Sequence, residues 1–297
     1  MEAIVGRERA LGRPWVLVVS GTMVASFSPI LTRYATEADP LVVSFYRCAA
    51  AAAILAPFGY GVLRSRSRRG LVAPAVGGAF LALHFATWIT SLYLTTVTSA
   101  VLLVATAPLF VAIAARILWR DRLRAWGWAG ILLSIAGSAL VAGADLSGSS
   151  LRGNLLALMG AASAAGYAMA GQVARRELGI VEYSTVAYGV AAVLLGPTAL
   201  LWGSEFTGFA ADTWWAIAGL VIGPQLIGHT LINASLKELH ATTVNMTIMA
   251  EPVIATALAF ILFSEVPSVL IVPGGVAILA GIYLVTSTGV QTEVVPE

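Results

Sequence analysis

With 297 residues, of which 59% are hydrophobic and 11% charged, and a mean hydropathy of +0.88, the chain carries more apolar surface than one soluble core can hide, so its solvent is a lipid bilayer. A net charge of +2 gives no reason to expect a nucleic-acid partner. The single cysteine, Cys48, excludes an intrachain disulfide framework and a thiolate metal cluster, and neither a metal nor a cofactor is expected.

A helix needs about 20 mostly apolar residues to cross the hydrocarbon layer. On that measure the first predicted span covers residues 15–34, beginning in WVLVVSGTMVASF. Arg7, Arg9 and Arg13 ahead of it imitate the basic flank of a secretory signal, but nine similar segments follow and favour a retained helix. Those segments are predicted over 41–63, 71–94, 98–119, 125–143, 153–174, 182–203, 213–236, 242–263 and 268–287. The runs are long and continuously apolar, unlike the shorter alternating pattern of membrane strands. The predicted fold is therefore an all-α polytopic bundle of ten transmembrane helices.

Of the 17 basic residues, fourteen fall on one side of this arrangement, in clusters such as Arg64, Arg66, Arg68 and Arg69, and Arg116, Arg120, Arg122 and Arg124. The opposite loops hold Arg152, with Arg33 at a helix edge, while Arg47 lies inside the second span. By the positive-inside rule both termini are predicted to face the cytoplasm.

The chain also repeats itself. A shift of 144 residues lays TSAVLLVATAPLFVAIAARILWRDRL on TTVNMTIMAEPVIATALAFILFSEVP, pairing Thr98 with Thr242, Pro108 with Pro252 and Asp121 with Glu265. Farther along, Gly130 meets Gly274 and Gly137 meets Gly281. A shift of 140 pairs Ser44 with Ser184 and Pro57 with Pro197. Five helices duplicated must enter the membrane from opposite sides, which predicts two inverted repeats with a site near the midplane between them. The expected organisation is a cytoplasmic segment 1–14, a first five-helix repeat 15–143, an external linker 144–152, a second repeat 153–287 and a cytoplasmic tail 288–297.

With APLFVAIAARILWRDRL before GILLSIAGSALV, EPVIATALAFILFSE before GGVAILAGIYLV, and SFYRCAAAAAIL in the second span, the chain resembles the drug/metabolite transporter superfamily, specifically its ten-helix EamA-type members. The resemblance covers nearly the full length. It implies an exporter of amino acids or other metabolites in a bacterial inner membrane, with aromatic amino-acid exporters of the YddG type among the near relatives.

Ionisable residues within spans are candidate functional groups, because burying them in hydrocarbon is costly. Glu251 lies near the middle of the ninth span, and its mate in the other repeat is Ala107. Two readings stand: a carboxylate facing a cavity, for a proton or an ammonium group, or a structural partner for a helix broken at Pro252. The shared Pro108 and Pro252 read as helix-breaking, gating elements. In the third span, His84, Trp88, Ser91 and Thr95 recur on one helical face, either as a cavity wall or as packing with polar glue. In the eighth, Gln225, His229 and Asn233 recur at intervals of four, and His229 falls within one residue of the position matching His84. Arg47 is too deep to snorkel. An ion pair within the protein or hydration from outside is the expected answer, a substrate carboxylate the alternative. Tyr167 and Asn245 are further cavity candidates, beside Met249.

The leading expectation is a secondary exporter working by alternating access, with a small molecule and the bilayer as partners and a monomer as the state. A membrane enzyme is the rival, yet the chain has no H-E-x-x-H pair, P-loop or nucleophile elbow, and no catalytic residue is assigned. A channel lacks a ring of charge or a filter-like glycine loop. Small zwitterions suit the candidate groups best. Hydrophobic cations, which Glu251 and Trp88 would receive, are the alternative substrate; nucleotide sugars call for more deep cations than Arg47.

Overall fold

A computed structural model describes residues 2–32, 34–95, 97–141, 150–263 and 269–291. Arg33, Glu265 and most of the predicted linker lie outside the described residues. The chain is predominantly helical. Six helices are continuous: α3 (Pro40–Ser65), α4 (Val72–Leu94), α7 (Ala125–Val141), α8 (Leu151–Ala174), α9 (Ile180–Leu201) and α14 (Ile271–Thr288). Four predicted segments are instead divided. They form α1 (Glu2–Ala25) with α2 (Ser28–Thr32), α5 (Val97–Val104) with α6 (Ala107–Leu118), and α12 (Ala241–Ile248) with α13 (Glu251–Phe263). The fourth is α10 (Ala211–Leu220), a π-helical stretch Val221–His229, and α11 (Thr230–Ser235). Helix α1 begins at Glu2 rather than near residue 15, since EAIVGRERALGR is rich in good helix formers and needs no membrane to justify its turns.

Seven helical stretches among the described residues are long and apolar enough to cross a membrane: Arg13–Thr32, Pro40–Ser65, Arg68–Ser91, Ile180–Leu201, Ala211–Ser235, Ala241–Leu262 and Ile271–Thr288. Leu102–Leu118 and Ala125–Val141 are shorter apolar helices. Large apolar side chains such as Ile117, Leu201 and Trp215 point outward, as a lipid-facing surface requires.

The helix starts follow local chemistry. Asp39 Oδ1 accepts a 2.8 Å hydrogen bond from the Leu41 N–H, and Pro40 occupies the first turn of α3, where its missing donor costs nothing. Asp39→Ala is expected to destabilise the protein by about 0.5–2 kcal/mol, as removal of an N-cap does; thermal unfolding in detergent checks this. Ser150 caps α8 in the same way through the Gly153 N–H.

In packing, α4 runs along α8, α3 along α9, and α7 along α14. The last pair reveals the repeat in three dimensions. A Cβ on Gly130 would stand 2.7 Å from the Gly281 carbonyl, and one on Gly137 would stand 2.6 Å from that of Gly274. The sequence shift pairs Gly130 with Gly274 and Gly137 with Gly281, so each glycine packs against the mate of the other. Ser134 donates to the carbonyl of Ile278 at 3.2 Å, and Ile278 is its own mate under the same shift of 144. Such a crossed pattern is that of an isologous, antiparallel contact around a pseudo-twofold axis. Glycine is needed because the two backbones approach too closely for any side chain.

The loop RDRL (120–123) is held from beyond α14. Arg122–Leu123 forms β1 and pairs antiparallel with β2, Val290–Gln291.

Candidate functional site

The breaks in three of the divided helices meet at one cavity. Helix α12 ends in a tight turn, with Met249 N–H donating to Met246 and Ala250 N–H to Thr247, both at 3.1 Å. Helix α13 then starts afresh at Glu251. Pro252 therefore does not interrupt a continuous helix: it occupies the first turn of a new one, where the N–H would be unpaired in any case. The same device recurs in the other repeat, where Thr106 N–H donates to Leu103 at 3.1 Å and α6 starts at Ala107–Pro108. Ser28–Pro29 begins α2 after a third such turn.

Between these starts lies a cavity of ≈ 370 Å³, within the range of about 300–1,000 Å³ usual for small-molecule sites. Pro29, Pro108 and Pro252 all line it. The lining is mostly apolar, with polar groups from both halves of the chain, as small-molecule sites commonly are.

Of the residues singled out from sequence, Arg47, His84, Trp88, Pro108, Tyr167, His229, Asn245, Glu251 and Pro252 all border this space. His84 and Trp88 stack with centroids 5.7 Å apart and planes 7° from parallel. The His84 Nδ1 lies 2.9 Å from the Gly160 carbonyl of α8, which positions the imidazole. Phe85 contacts both His84 and His229, at 5.4 and 5.9 Å, so it joins the two histidines matched between repeats. Asn233 donates to the Tyr167 hydroxyl at 2.5 Å. Asn245 Nδ2 bonds back to the Ala241 carbonyl at 3.0 Å.

Ser91 and Thr95 are not brought to the cavity. Ser91 is fully buried with its hydroxyl on the Trp88 carbonyl at 2.6 Å, and Thr95 bonds Asn154 at the end of α4. A helix face reaches a cavity only over the turns that border it, and these two lie one and two turns beyond. Gln225 is likewise fully buried away from the cavity.

Of the two answers expected for Arg47, the ion pair within the protein is not formed: no carboxylate among the described residues stands within ion-pairing distance of it. Its guanidinium donates to Ser28 Oγ at 3.1 Å and lies 4.7 Å above the Phe85 ring, while Nε has no acceptor. Glu251 borders the same cavity and interacts with that charge only through space. A buried guanidinium without an anion costs several kcal/mol, which one hydroxyl and a ring face offset in part.

Ser28 and Phe85 were not legible as site residues. The hydroxyl of Ser26, two residues earlier, bonds back to the Thr22 carbonyl at 2.8 Å. The break after Ala25 resets the phase and hands the inner position to Ser28. Phe85 carried no signal that distinguishes it from other core aromatics.

Helices broken part-way along apolar segments around a shared cavity, in a chain that repeats itself, define a membrane transporter of small molecules. The EamA-like transporter family matches residues 13–143 and again 151–287, and the chain belongs to that family. An uncharacterized transporter of Archaeoglobus fulgidus is 24% identical over 262 residues, covering 84% of this chain and 89% of the relative. A crystal structure 20% identical in sequence superposes with a TM-score of 0.77 over 92% of this chain and 96% of its own, a likeness of fold.

Proposed function

We propose that the protein is a secondary transporter exporting amino acids or closely related small zwitterions across the inner membrane by alternating access. In this reading the divided and continuous segments make ten crossings, arranged as two inverted five-helix repeats over 15–143 and 153–287, with both termini in the cytoplasm. Support for the orientation comes from the arginine-rich loops, all on one side of that arrangement.

The observation that carries the proposal is a single cavity bordered by both halves at their proline-started half-helices, bearing Arg47 and His84 from one half and His229, Asn245 and Glu251 from the other. A cavity with one guanidinium, one carboxylate and otherwise neutral donors matches a small molecule carrying both charges. Trp88 with His84, and Tyr167, provide flat surfaces for an apolar side chain. The α7–α14 contact would serve as the axis on which the halves rock, and Pro108 and Pro252 as the points where the neighbouring helices bend. The role is transport and not catalysis, and one copy of the chain holds the whole cavity.

Reconstitution in liposomes tests this. Labelled neutral and aromatic amino acids, and small hydrophobic cations, are offered with and without a pH gradient. Saturable uptake of unmodified amino acids, accelerated by unlabelled amino acid on the far side, is the expected result. If only cations move, the substrate class is wrong; if a compound is chemically altered, the chain is an enzyme.

A further inference from the structure

The geometry points to Arg47 as the receptor for an anionic group of the transported molecule, a carboxylate, so that the cavity selects acids over their amides and amines. This inference rests on the exporter reading above and deepens it. Arg47 is only 1% exposed, yet Ser28 Oγ is the one hydrogen-bond acceptor its guanidinium has among the described residues, and its Nε donates to nothing. Buried arginines are ordinarily paired with carboxylates, often through two parallel bonds. Here Ser28 and the Phe85 ring hold the group in place at the cavity wall, and no carboxylate of the described residues pairs with it.

The charge balance of the whole cavity agrees. Helices α6 and α13 both begin at its wall, and the start of a helix carries partial positive charge. Glu251 answers the start of α13, whereas the matching residue at the start of α6 is Ala107. Arg47 and two helix starts therefore face one protein carboxylate. The excess favours a ligand that bears a carboxylate, which Arg47 receives; a zwitterion also turns its ammonium toward Glu251, whereas an organic cation would add to the excess.

The test uses the full chain in detergent and in liposomes, with phenylalanine, phenylalanine amide and phenethylamine as probes, and leucine with leucinamide as a second pair. These share an ammonium group and an apolar side chain, and only the acids bear the carboxylate. The wild-type protein is expected to prefer each acid to its amide by at least roughly tenfold in binding, the effect of losing a charge-assisted bond of about 1.4 kcal/mol or more. In Arg47→Gln that ratio falls to near one, because acid binding is lost while amide and amine binding is kept. Ser28→Ala, a smaller change, lowers the ratio part of the way. Should Arg47→Gln not fold, the wild-type ratio and Ser28→Ala decide the matter.

Equal binding of acid and amide by the wild-type protein, with transport intact, overturns the assignment and leaves the exporter reading standing. Failure of every probe to bind overturns both. Transport that requires chloride but ignores the substrate's carboxylate shows that Arg47 holds an inorganic anion instead, and also overturns it.

Discussion

Gly281→Ala lowers the thermal unfolding temperature of the purified protein by several degrees. The added Cβ would collide with the Gly130 carbonyl and the Ser134 hydroxyl. Backbone cannot swing aside as a long side chain does, so α7 and α14 must separate along their length. Overpacking of this kind costs about 1–3 kcal/mol, and the Ser134 bond to Ile278 beside it is loosened too. Gly275→Ala on the same helix is the control. Its Cβ would meet nothing nearer than the Val253 methyls at 3.7 Å, an ordinary contact. That variant is expected to be neutral or to gain up to about 1 kcal/mol from the better helix propensity of alanine. Equal shifts for the two variants would show that α7 and α14 do not depend on close backbone approach.

Glu251→Gln slows amino-acid transport by roughly ten- to a hundredfold while leaving the unfolding temperature nearly unchanged. Glutamine keeps the size and hydrogen-bonding capacity of the side chain at the start of α13 but removes its charge. If Glu251 receives the substrate ammonium, the lost charge-assisted bond, about 1.5–3 kcal/mol, accounts for that range. Were Glu251 needed only to satisfy a broken helix, glutamine would do so equally well. The turn at Met249–Ala250 pairs its own N–H donors with Met246 and Thr247, so this variant separates the two readings. Measuring uptake with and without an imposed pH gradient adds a second discrimination. A rate and gradient dependence preserved in the variant would exclude Glu251 from both ammonium binding and proton transfer.

Much of the candidate site was legible because ionisable and aromatic residues are scarce inside apolar segments. Glu251, His84, His229 and Arg47 stand out against leucine and alanine, and hydrocarbon makes their placement expensive enough to need a purpose. All four border the same cavity. Periodicity was a poorer guide. It extended the His84–Trp88 face to Ser91 and Thr95, since a constant 3.6-residue phase assumes an unbroken helix bordering the cavity along its whole length. Prolines marked where breaks occur, but the phase after a break depends on the turn, which the proline does not specify.

Composition alone determined that the chain lives in lipid, and self-comparison that it consists of two like halves. Hydropathy is a sum over residues and repetition is a property of order, so neither needs coordinates. Only the tertiary structure decided that Gly130 faces Gly281 instead of its own mate, and that Pro252 begins a helix instead of kinking one. It also decided that Arg47 meets a serine and a phenyl ring, with no ion-pairing carboxylate among the described residues. Each of these is a relation between segments distant in sequence or across a helix break. Such relations are set by how closely packed surfaces interlock, and that is a property of the assembled bundle.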